Sequence, residues 1–503
     1  MIRLVYLASI LWRLPRAATN ASPNPPVHSS WIPFLGHIFG IATKGSNLYL
    51  SSLCAIQRSP IATLKLPGQD IHLIHPRDVA SVKQFTGMRH LSLMAVFHVA
   101  VGPAMGLGPA SEKFLTDPDT GGFKRGLSKL FNGELRSLRN LQKYASQLEQ
   151  KVDEYWGETF TGQDPVLRTG LGAWLFDLLS RSMGAVFWGQ EGPFEDELFR
   201  QHLRLFIQNL ETLRNPITPL IPSQLFSARE YVRNKITQSA HGKAYGHQGA
   251  TLFERLALLY ESLEIPQEGF SDCHLVAIVG LMSNVINIVS WAFCHIVADA
   301  ELMACLLAEL EKVAGEPSSP NLVLDADQIR TCCPLLVATW YELLRVYGDS
   351  PVARGVNEDC LFDNKYQLSK GSMIMTPIHL LNFDMDVWGG DAAAFRPRRF
   401  LQDGGQVNAE LVKHLNVFGL PGMHQCPGRY LGLTLTLAVL AKTLLSFDIT
   451  PIPGDALAQG TVPKRKETML GLPAMSRDPD VIVRRRGKTQ TVHIVFDNVR
   501  PGW

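Results

Sequence analysis

The chain has 503 residues, of which 46% are hydrophobic and 19% charged, and its 48 Lys and Arg against 46 Asp and Glu leave a net charge of +2. This balance gives no basis for nucleic-acid binding, which depends on neutralising phosphates, and the apolar content excludes a disordered chain. The 8 cysteines are too few for a disulfide scaffold, and none has the spacing of a zinc site. The composition is typical of a large folded enzyme of a reducing compartment.

An apolar run of nine residues, 4–12, lies near the start of the chain between arginines. It is shorter than the roughly 20 residues that a spanning helix needs, and it fits either a signal peptide or a short anchor that enters one leaflet. The proline-rich stretch 23–26 would then separate it from the body as stiff extended chain. We expect residues 1–22 to be an anchor or targeting segment and residues 23–503 to be one catalytic domain.

The body is predicted to be mainly α-helical with small β-sheets. Apolar residues recur at helical spacing over residues 131–156 and 252–263. β-Branched and aromatic residues between turn signals predict strands at 61–66 and 71–74, which form a hairpin, and at 360–375, 481–483 and 492–495.

Residues 275–297 contain no formally charged side chain over 23 positions, a length that would also suit a transmembrane helix. Ser283, Asn287 and Ser290 recur along it at intervals of four and three. Such polar groups are costly in lipid without partners, whereas a helix through the middle of a large protein is apolar all round because it is buried. We interpret this segment as a buried helix.

One loop carries a chemical signature, the stretch Phe418-Gly-Leu-Pro-Gly-Met-His-Gln-Cys426-Pro-Gly-Arg429, which runs into an apolar helical stretch. Pro427 suits the first helical position, and this places Cys426 at a helix N-terminus, where the dipole favours a thiolate. Gly422 and Gly428 leave room for a flat ligand. Such a thiolate is a candidate axial ligand of haem iron; the alternative is a cysteine with no chemical role.

The loop resembles the haem-binding signature of the cytochrome P450 family, in which an aromatic residue is followed by a glycine, a basic residue and Cys-x-Gly. Gly422, His424, Cys426 and Gly428 match the signature, whereas Phe418 lies eight residues before the cysteine and the family usually has seven. The resemblance implies the cytochrome P450 fold, with haem b as the cofactor and Cys426 as its iron ligand.

A second match is Glu342-Leu-Leu-Arg345, whose i, i+3 spacing puts both charges on one helical face. Alone it would be read as a surface ion pair. The stretch Phe395-Arg-Pro-Arg-Arg399-Phe400 follows at the family's distance, and the resemblance then implies that Glu342, Arg345 and Arg399 form a structural triad. Arg398 stands where the family often has a glutamate, which leaves that outer contact in doubt.

Further matches extend the resemblance from about residue 31 to residue 432. Arg354 and His424 occupy positions that hold a haem propionate in many members, and residues 33–37 resemble the segment that follows the membrane anchor. A chain of this length with an apolar N-terminus is similar to the eukaryotic microsomal type. This favours an anchor in the endoplasmic reticulum membrane, with the catalytic domain facing the cytosol.

The central helix departs from most of the family, which has an acid followed by threonine. Val285 takes the place of the threonine, and the spacing of Asn284 and Trp291 is similar to the branch that holds steroid 7α- and 12α-hydroxylases and prostacyclin synthase. We expect Asn284 or Asn287 to hold a water that relays protons; the alternative is that both make helix-packing hydrogen bonds.

Three functions stay open on this basis. The leading one is an oxygen-dependent monooxygenase that acts on an apolar small molecule, terpenoid, steroid or polyketide-like, in fungal secondary metabolism. The others are a haem-thiolate isomerase or dehydratase, which needs neither oxygen nor NADPH, and a non-catalytic haem sensor. The chain has no nucleotide-binding fingerprint, so the resemblance implies that electrons come from a separate NADPH-cytochrome P450 reductase that carries FAD and FMN.

Overall fold

The computed structural model describes residues 24–30, 35–93, 96, 101–109, 111, 114, 121–162, 165–214, 221–240, 251–315, 321–419, 425–486 and 491–499. The predicted anchor or targeting segment, residues 1–22, lies outside the described residues, as do positions 33 and 34 of the segment that follows it.

Helices dominate the described chain, as the sequence predicts. In chain order the helices are α1 Leu35–Lys44, α2 Ser46–Ala55, α3 Val79–Gly87, α4 Gly102–Met105, α5 Gly121–Arg136, α6 Leu138–Thr159, α7 Leu171–Phe187, α8 Glu197–Ile207, α9 Leu210–Leu213, α10 Ser223–Ala240, α11 Leu252–Ser262, α12 Gln267–Ala298, α13 Ala300–Ala314, α14 Ala326–Cys332, α15 Pro334–Tyr347, α16 His379–Asn382, α17 Met385–Trp388, α18 Ala409–Val412 and α19 Arg429–Ser446. Short 3-10 turns lie at Pro193–Glu195, Pro397–Phe400 and Ala456–Gln459.

The strands of the described residues form four small sheets. They are β1 Ile61–Leu66, β2 Gln69–Ile74, β3 Leu91–Ser92, β4 Val166–Gly170, β5 Asn321–Asp325, β6 Val352–Val356, β7 Cys360–Phe362, β8 Tyr366–Leu368, β9 Met373–Thr376, β10 Phe447–Pro451, β11 Asp480–Arg485 and β12 Thr491–Val495. The orders are β1-β2-β9-β6-β3, β10-β11-β4, β12-β5 and β7-β8. The predicted hairpin is confirmed, because β1 and β2 pair antiparallel from Ile61 opposite Ile74 to Leu66 opposite Gln69.

The helix predicted over residues 131–156 is in fact two helices. Ser137 has extended backbone, with φ −68° and ψ 125°, and it separates α5 from α6. The helical spacing of apolar residues continues across the break, so the pattern alone did not reveal it. Helix α11 matches its prediction closely, and its first turn is stabilised by a capping box in which Thr251 and Glu254 bond each other's backbone.

The two predicted C-terminal strands are confirmed, but they belong to different sheets. β11 pairs antiparallel with both β10 and β4, whereas β12 pairs parallel with β5 in register from Thr491 opposite Asn321. The partners lie far away in the sequence, where no local pattern reports them. These pairings tie the end of the chain to its middle.

Helix α12 runs through the main core, and the interpretation of residues 275–297 as a buried helix is confirmed. Within the described residues, α12 is the one helix long and apolar enough to cross a membrane, and 67% of its most apolar window is buried inside the protein. Val289, Trp291 and Phe293 are fully buried. The helix packs against α7, α15 and α19, and a π turn at Val279–Ser283 interrupts it.

Candidate active site

The loop that carries Cys426 folds back on itself before helix α19. The Cys426 amide donates to the Phe418 carbonyl oxygen at 2.9 Å, and Phe418 and Gly419 both have positive φ, 63° and 82°. Left-handed backbone is uncommon for a residue as large as Phe418, so surrounding contacts must hold this turn. The Phe418 ring lies roughly parallel to the Trp340 ring, with 6.2 Å between the two ring centroids. The contact fastens the loop to helix α15, which also carries Glu342.

Helix α19 begins later than the sequence predicts. Its first residue is Arg429 and its N-cap is Gly428, so the placement of Pro427 at the first helical position is wrong by two residues. Pro427 and Gly428 form a turn instead, in which proline supplies the fixed φ that a turn needs. Cys426 therefore lies ahead of the helix.

The predicted bias of Cys426 towards thiolate is also wrong for the protein alone. Burial raises the pKa of the Cys426 thiol, and the Gly428 amide together with the charges of Arg429 and Arg136 lowers it without offsetting that rise. The helix-dipole argument considered only the helix and left out desolvation. A coordinating metal deprotonates a thiol outright, so this environment disfavours a free thiolate and still suits a metal-bound one.

Gly428 leaves room for a methyl group between the Leu135 side chain and the sulfur of Cys426. A methyl group built at Gly428 would lie 3.7 Å from the Leu135 side chain and 3.9 Å from Cys426 Sγ, both ordinary contacts. The protein itself would therefore accept alanine at Gly428, and a need for glycine there would come from a ligand lying against the sulfur. Gly422 and His424, the other predicted cofactor contacts of this loop, lie outside the described residues.

The structure brings Glu342, Arg345 and Arg399 together. Arg345 makes a bidentate pair with Glu342, 2.7 Å at both Nε and Nη2, and both side chains are 0% exposed. Its remaining donors reach the carbonyl oxygens of Asn382, Ala392 and Ala394. A fully buried charge pair needs such additional hydrogen bonds to offset its desolvation.

Arg399 joins this pair less tightly, with its Nε 3.5 Å from Glu342 Oε1. Its stronger partner is Asp391, whose Oδ1 lies 2.8 Å from Arg399 Nη1. Hydrogen bonds from Arg399 and Arg396 lower the pKa of Asp391 to about 2. Arg398 points elsewhere and lies 3.2 Å from Cys305 Sγ, so Asp391 supplies the outer carboxylate that the sequence left in doubt at position 398.

Helix α12 is open on one side at its π turn. Gly280 is exposed, whereas the other residues from Gly269 to Val297 are buried or half-buried, and a methyl group built at Gly280 would meet no atom within 4 Å. The apolar side chains of Val279, Leu281 and Val285 around it are only half-buried. π Turns inside helices are frequent at functional sites, and this one lines a space with apolar groups.

Asn284 and Asn287, the two candidate proton relays, bond the same residue of a distant loop. Asn284 Oδ1 accepts from the Leu472 amide at 2.8 Å, and Asn287 Nδ2 donates to the Leu472 carbonyl oxygen at 2.8 Å. These contacts are the packing hydrogen bonds that the sequence left as the alternative. The relay stays a prediction.

Arg354, the predicted propionate contact, lies on β6 with its guanidinium partly buried over the Phe85 ring, 5.8 Å from the ring centroid. Burial lowers the pKa of Arg354. Nη1 donates to the Ala353 carbonyl oxygen at 2.7 Å, and no carboxylate of the described residues lies within ion-pair distance of it. A desolvated guanidinium of this kind is suited to bind an anionic ligand.

The described residues therefore fit a flat, metal-containing cofactor with acidic side groups, such as haem b. Cys426 offers a sulfur ligand, Gly428 leaves space against that sulfur, and Arg354 offers a cation for a carboxylate. The sequence profile described as Cytochrome P450 matches residues 25–474 of the chain.

The chain belongs to the cytochrome P450 family.

As a P450, the chain is an oxidoreductase with the family's mainly helical fold and a haem-iron cofactor, as the sequence predicts. The chain is 22% identical over 442 residues to Cytochrome P450 monooxygenase nodJ of Hypoxylon pulicicidum, a match that covers 86% of this chain and 84% of that protein. A Cytochrome P450 monooxygenase of Gibberella zeae is 29% identical over 180 residues, 34% of each chain. Cytochrome P450 monooxygenase poxD of Penicillium oxalicum is 27% identical over 208 residues, 41% of this chain and 42% of the other.

Three features of this P450's site were missed from sequence. Asp391 follows two glycines in no recognisable pattern, and Leu472 lies 185 positions from Asn287, so only the fold brings either into contact. Arg136 was detectable in principle, since a cation in the last turn of a helix is a common signal, but its nearness to Cys426 depends on tertiary packing.

Proposed function

We propose that this P450 is a monooxygenase that oxidises an apolar small molecule with O2 and with electrons from NADPH. The observation that carries the proposal is the placement of Cys426, ahead of α19, with a glycine two residues on that puts no side chain against the sulfur and with Arg136 and Arg429 nearby. When bound, haem b supplies the activation of dioxygen at its iron. The residues proposed to hold it are Cys426 as axial ligand, Arg354 and His424 at the propionates, and Phe418, Gly422 and Gly428 around the ring.

The substrate would lie along the open side of α12. Val279, Leu281 and Val285 present half-buried apolar surface there, and such surface binds apolar ligands while excluding water. The matches to relatives named monooxygenases in three fungi support a fungal enzyme. We extend this to the oxidation of a terpenoid, steroid or polyketide-like intermediate of secondary metabolism.

Proton delivery is the step for which this chain lacks the family's acid–threonine pair. The contacts with Leu472 use Asn284 Oδ1 and Asn287 Nδ2. The other amide atoms, Asn284 Nδ2 and Asn287 Oδ1, are the groups we propose for holding the relay water. An amide offers both a donor and an acceptor, which a water chain requires.

Electrons would arrive on the side of the protein behind Cys426. Lys129, Arg136, Arg139 and Lys143 are exposed around the junction of α5 and α6. A cluster of one sign steers an oppositely charged partner towards it. This basic surface supports docking of an acidic face of a separate NADPH-cytochrome P450 reductase that carries FAD and FMN.

The apolar run 4–12 supports attachment to the endoplasmic reticulum membrane, with the catalytic domain in the cytosol. A run of this length would dip into one leaflet. Membrane attachment would also place the site within reach of apolar substrates dissolved in the lipid.

A haem-thiolate isomerase or dehydratase is the second candidate, and Val285 favours it. A reaction that rearranges a peroxide needs no delivery of protons to dioxygen, and a valine at this place is compatible with such a reaction. The similarity of Asn284 and Trp291 to the branch that includes prostacyclin synthase points the same way.

The two reactions differ in whether they require O2, the reductase and NADPH. The purified enzyme is incubated with a panel of apolar metabolites and organic peroxides, either in air with reductase and NADPH or under argon without them. We expect product only in air with both. Product formed under argon without NADPH would establish the isomerase and overturn the monooxygenase proposal.

A further inference from the structure

Glu134 is a buried acid to which the proposed function gives no role. It lies in the last turn of α5 and is only 7% exposed. A carboxylate taken out of water is costly unless it is paired and hydrogen-bonded. The partners of Glu134 therefore determine what this buried charge can do.

Three side chains bind Glu134, and together they occupy both of its carboxylate oxygens. Tyr144 Oη donates to Oε2 at 2.7 Å, and Asn140 Nδ2 donates to the same oxygen at 3.1 Å. Arg255 Nη1 donates to Oε1 and forms an ion pair with it. The two oxygens are thus held by different helices, α6 and α11, which fixes the orientation of the carboxylate.

These bonds hold a turn at which the backbone is interrupted. Ser137 has extended backbone, with ψ 125°, so the hydrogen-bond ladder of α5 does not continue into α6. Further back, α5 packs closely on α11, because a methyl group built at Gly126 would lie 2.7 Å from Leu259 Cδ1. Glu134 ties the last turn of α5 to both neighbouring helices at the point where the helix ends.

The two residues that follow Glu134 lie beside the Cys426 loop. Helix α5 packs against α19, and Leu135 Cδ1 is the atom nearest to a methyl group built at Gly428, at 3.7 Å. The positive charge of Arg136 acts on Cys426 and by itself lowers the pKa of its thiol. Because the three residues are consecutive in one helical turn, a displacement of the acid would move the leucine and the arginine with it.

We propose that Glu134 is a positioning residue, which holds the last turn of α5 so that Arg136 keeps its charge beside the Cys426 sulfur. A positive charge at this place stabilises the electron that is added when the iron bound to Cys426 is reduced. The inference rests on the proposed function for the presence of haem. It adds a means by which this chain sets how readily that haem accepts an electron.

The proposal is tested by anaerobic titration of the haem-loaded enzyme with dithionite, followed by the visible spectrum of the haem. Arg136→Gln removes the charge and should lower the equilibrium constant of reduction by about two- to fivefold, the factor that corresponds to two charges interacting near a protein surface. Tyr144→Phe removes one hydrogen bond to Glu134 and changes no charge. It should lower the same constant, and in the double variant it should reduce the effect of Arg136→Gln to less than about half, because the two residues are coupled.

Tyr155→Phe is the matched control. Tyr155 lies on the same helix as Tyr144, is similarly buried, and also donates its hydroxyl to a carboxylate, Asp177 Oδ2 at 3.0 Å. Each substitution removes one buried hydrogen bond, so both should lower the urea midpoint to a similar degree. Tyr155→Phe should leave the equilibrium constant of reduction unchanged, and Arg136→Gln should have its full effect in that background.

An unchanged equilibrium constant in Arg136→Gln would overturn the proposal, because the charge would then not act on the iron. The proposal would also be wrong if Tyr144→Phe matched Tyr155→Phe in the titration, since Glu134 would then serve stability alone. If Tyr144→Phe failed to load haem, Asn140→Ala would take its place, because it removes the second donor to the same oxygen. Product formed under argon without NADPH would refute the monooxygenase and leave the titration result standing, since the titration uses neither substrate nor O2.

Discussion

At the scale of single residues, Cys426 and Gly428 act as a pair whose chemistry requires a ligand. The sulfur is held in a site that disfavours its own ionisation, and Gly428 places no side chain against it. Neither property benefits the protein alone. Both become favourable when a metal centre binds against the sulfur.

Replacing Cys426 with alanine should abolish the red-shifted Soret band of the ferrous–CO complex from which the family takes its name. The band requires a thiolate ligand on iron, and no other cysteine of the described residues lies in this loop. Difference spectra of reduced samples with carbon monoxide measure it. Cys305→Ala is the control and should keep the band; a Cys426→Ala protein that also kept it would refute the ligand assignment.

Gly428→Ala should leave the fold intact and weaken haem binding. The added methyl group makes only ordinary contacts at 3.7 and 3.9 Å, but it occupies the space that a ring against Cys426 needs. Haem content and thermal unfolding of the apoprotein separate the two effects. Gly432→Ala lies within helix α19 with no atom near its added methyl group, and it should keep full haem content and stabilise the helix by roughly 0.5–1 kcal/mol. Equal haem loading of both variants would contradict the role of Gly428.

At the scale of elements, the segment 391–399 is fastened to helix α15 by charge. Arg345 and Glu342 lie inside the protein without exposure, and Arg399 and Asp391 extend the network outward. Backbone carbonyls use the remaining donors of Arg345. The network fixes α15, and with it Trp340 and the turn at Phe418.

Arg345→Ala should prevent stable haem incorporation. It leaves the Glu342 carboxylate buried without its main partner, at a cost of about 3–5 kcal/mol, a large share of a domain's stability. Haem content per protein and the urea midpoint measure the loss. Arg398→Ala removes the exposed arginine that directly precedes Arg399 and should change stability by less than about 0.5 kcal/mol. Similar behaviour of the two variants would show that the buried network is dispensable.

The sequence predicted the elements that depend on local chemistry and missed those that depend on packing. The spacing of Glu342 and Arg345 was enough to predict their pairing, because both lie on one helix. The bond between Asn287 and Leu472 could not be predicted, since no pattern links positions 185 apart. The pKa of Cys426 was predicted in the wrong direction for the same reason, because burial is a property of the folded chain.

At the scale of the whole molecule, the buried side chains of His72, His274 and His295 make stability depend on pH. Burial lowers the pKa of His274 and of His295 to about 3, and that of His72 to about 4. His274 lies among Trp188, Phe253 and Tyr260, with ring centroids 5.1–5.3 Å away. The folded state therefore binds fewer protons than the unfolded state below the ordinary pKa of 6.5.

Stability should accordingly be complete above about pH 6.5 and fall as pH drops towards 3. Each such histidine should lower the free energy of unfolding by about 1.4 kcal/mol for each pH unit below 6.5 in that window. His274→Phe should reduce this slope by one histidine's share, as measured by urea midpoints at pH 7.5 and 5.5. Replacing the exposed His414 with glutamine should leave the slope unchanged, and an unaltered slope in His274→Phe would show that the site takes up a proton without cost.

The π turn at Val279–Ser283 also bears on how this helix tolerates length change during evolution. A π turn contains one residue more than an α turn, so losing one residue there restores regular α geometry and gaining it back re-creates the bulge. Deletions elsewhere in α12 would rotate Trp291 and the packed half of the helix out of register with the core. The π turn is therefore the one place in this helix where a residue can be inserted or deleted during evolution while both halves of the helix keep their contacts with the core. Alignments of relatives should place their gaps between positions 279 and 283.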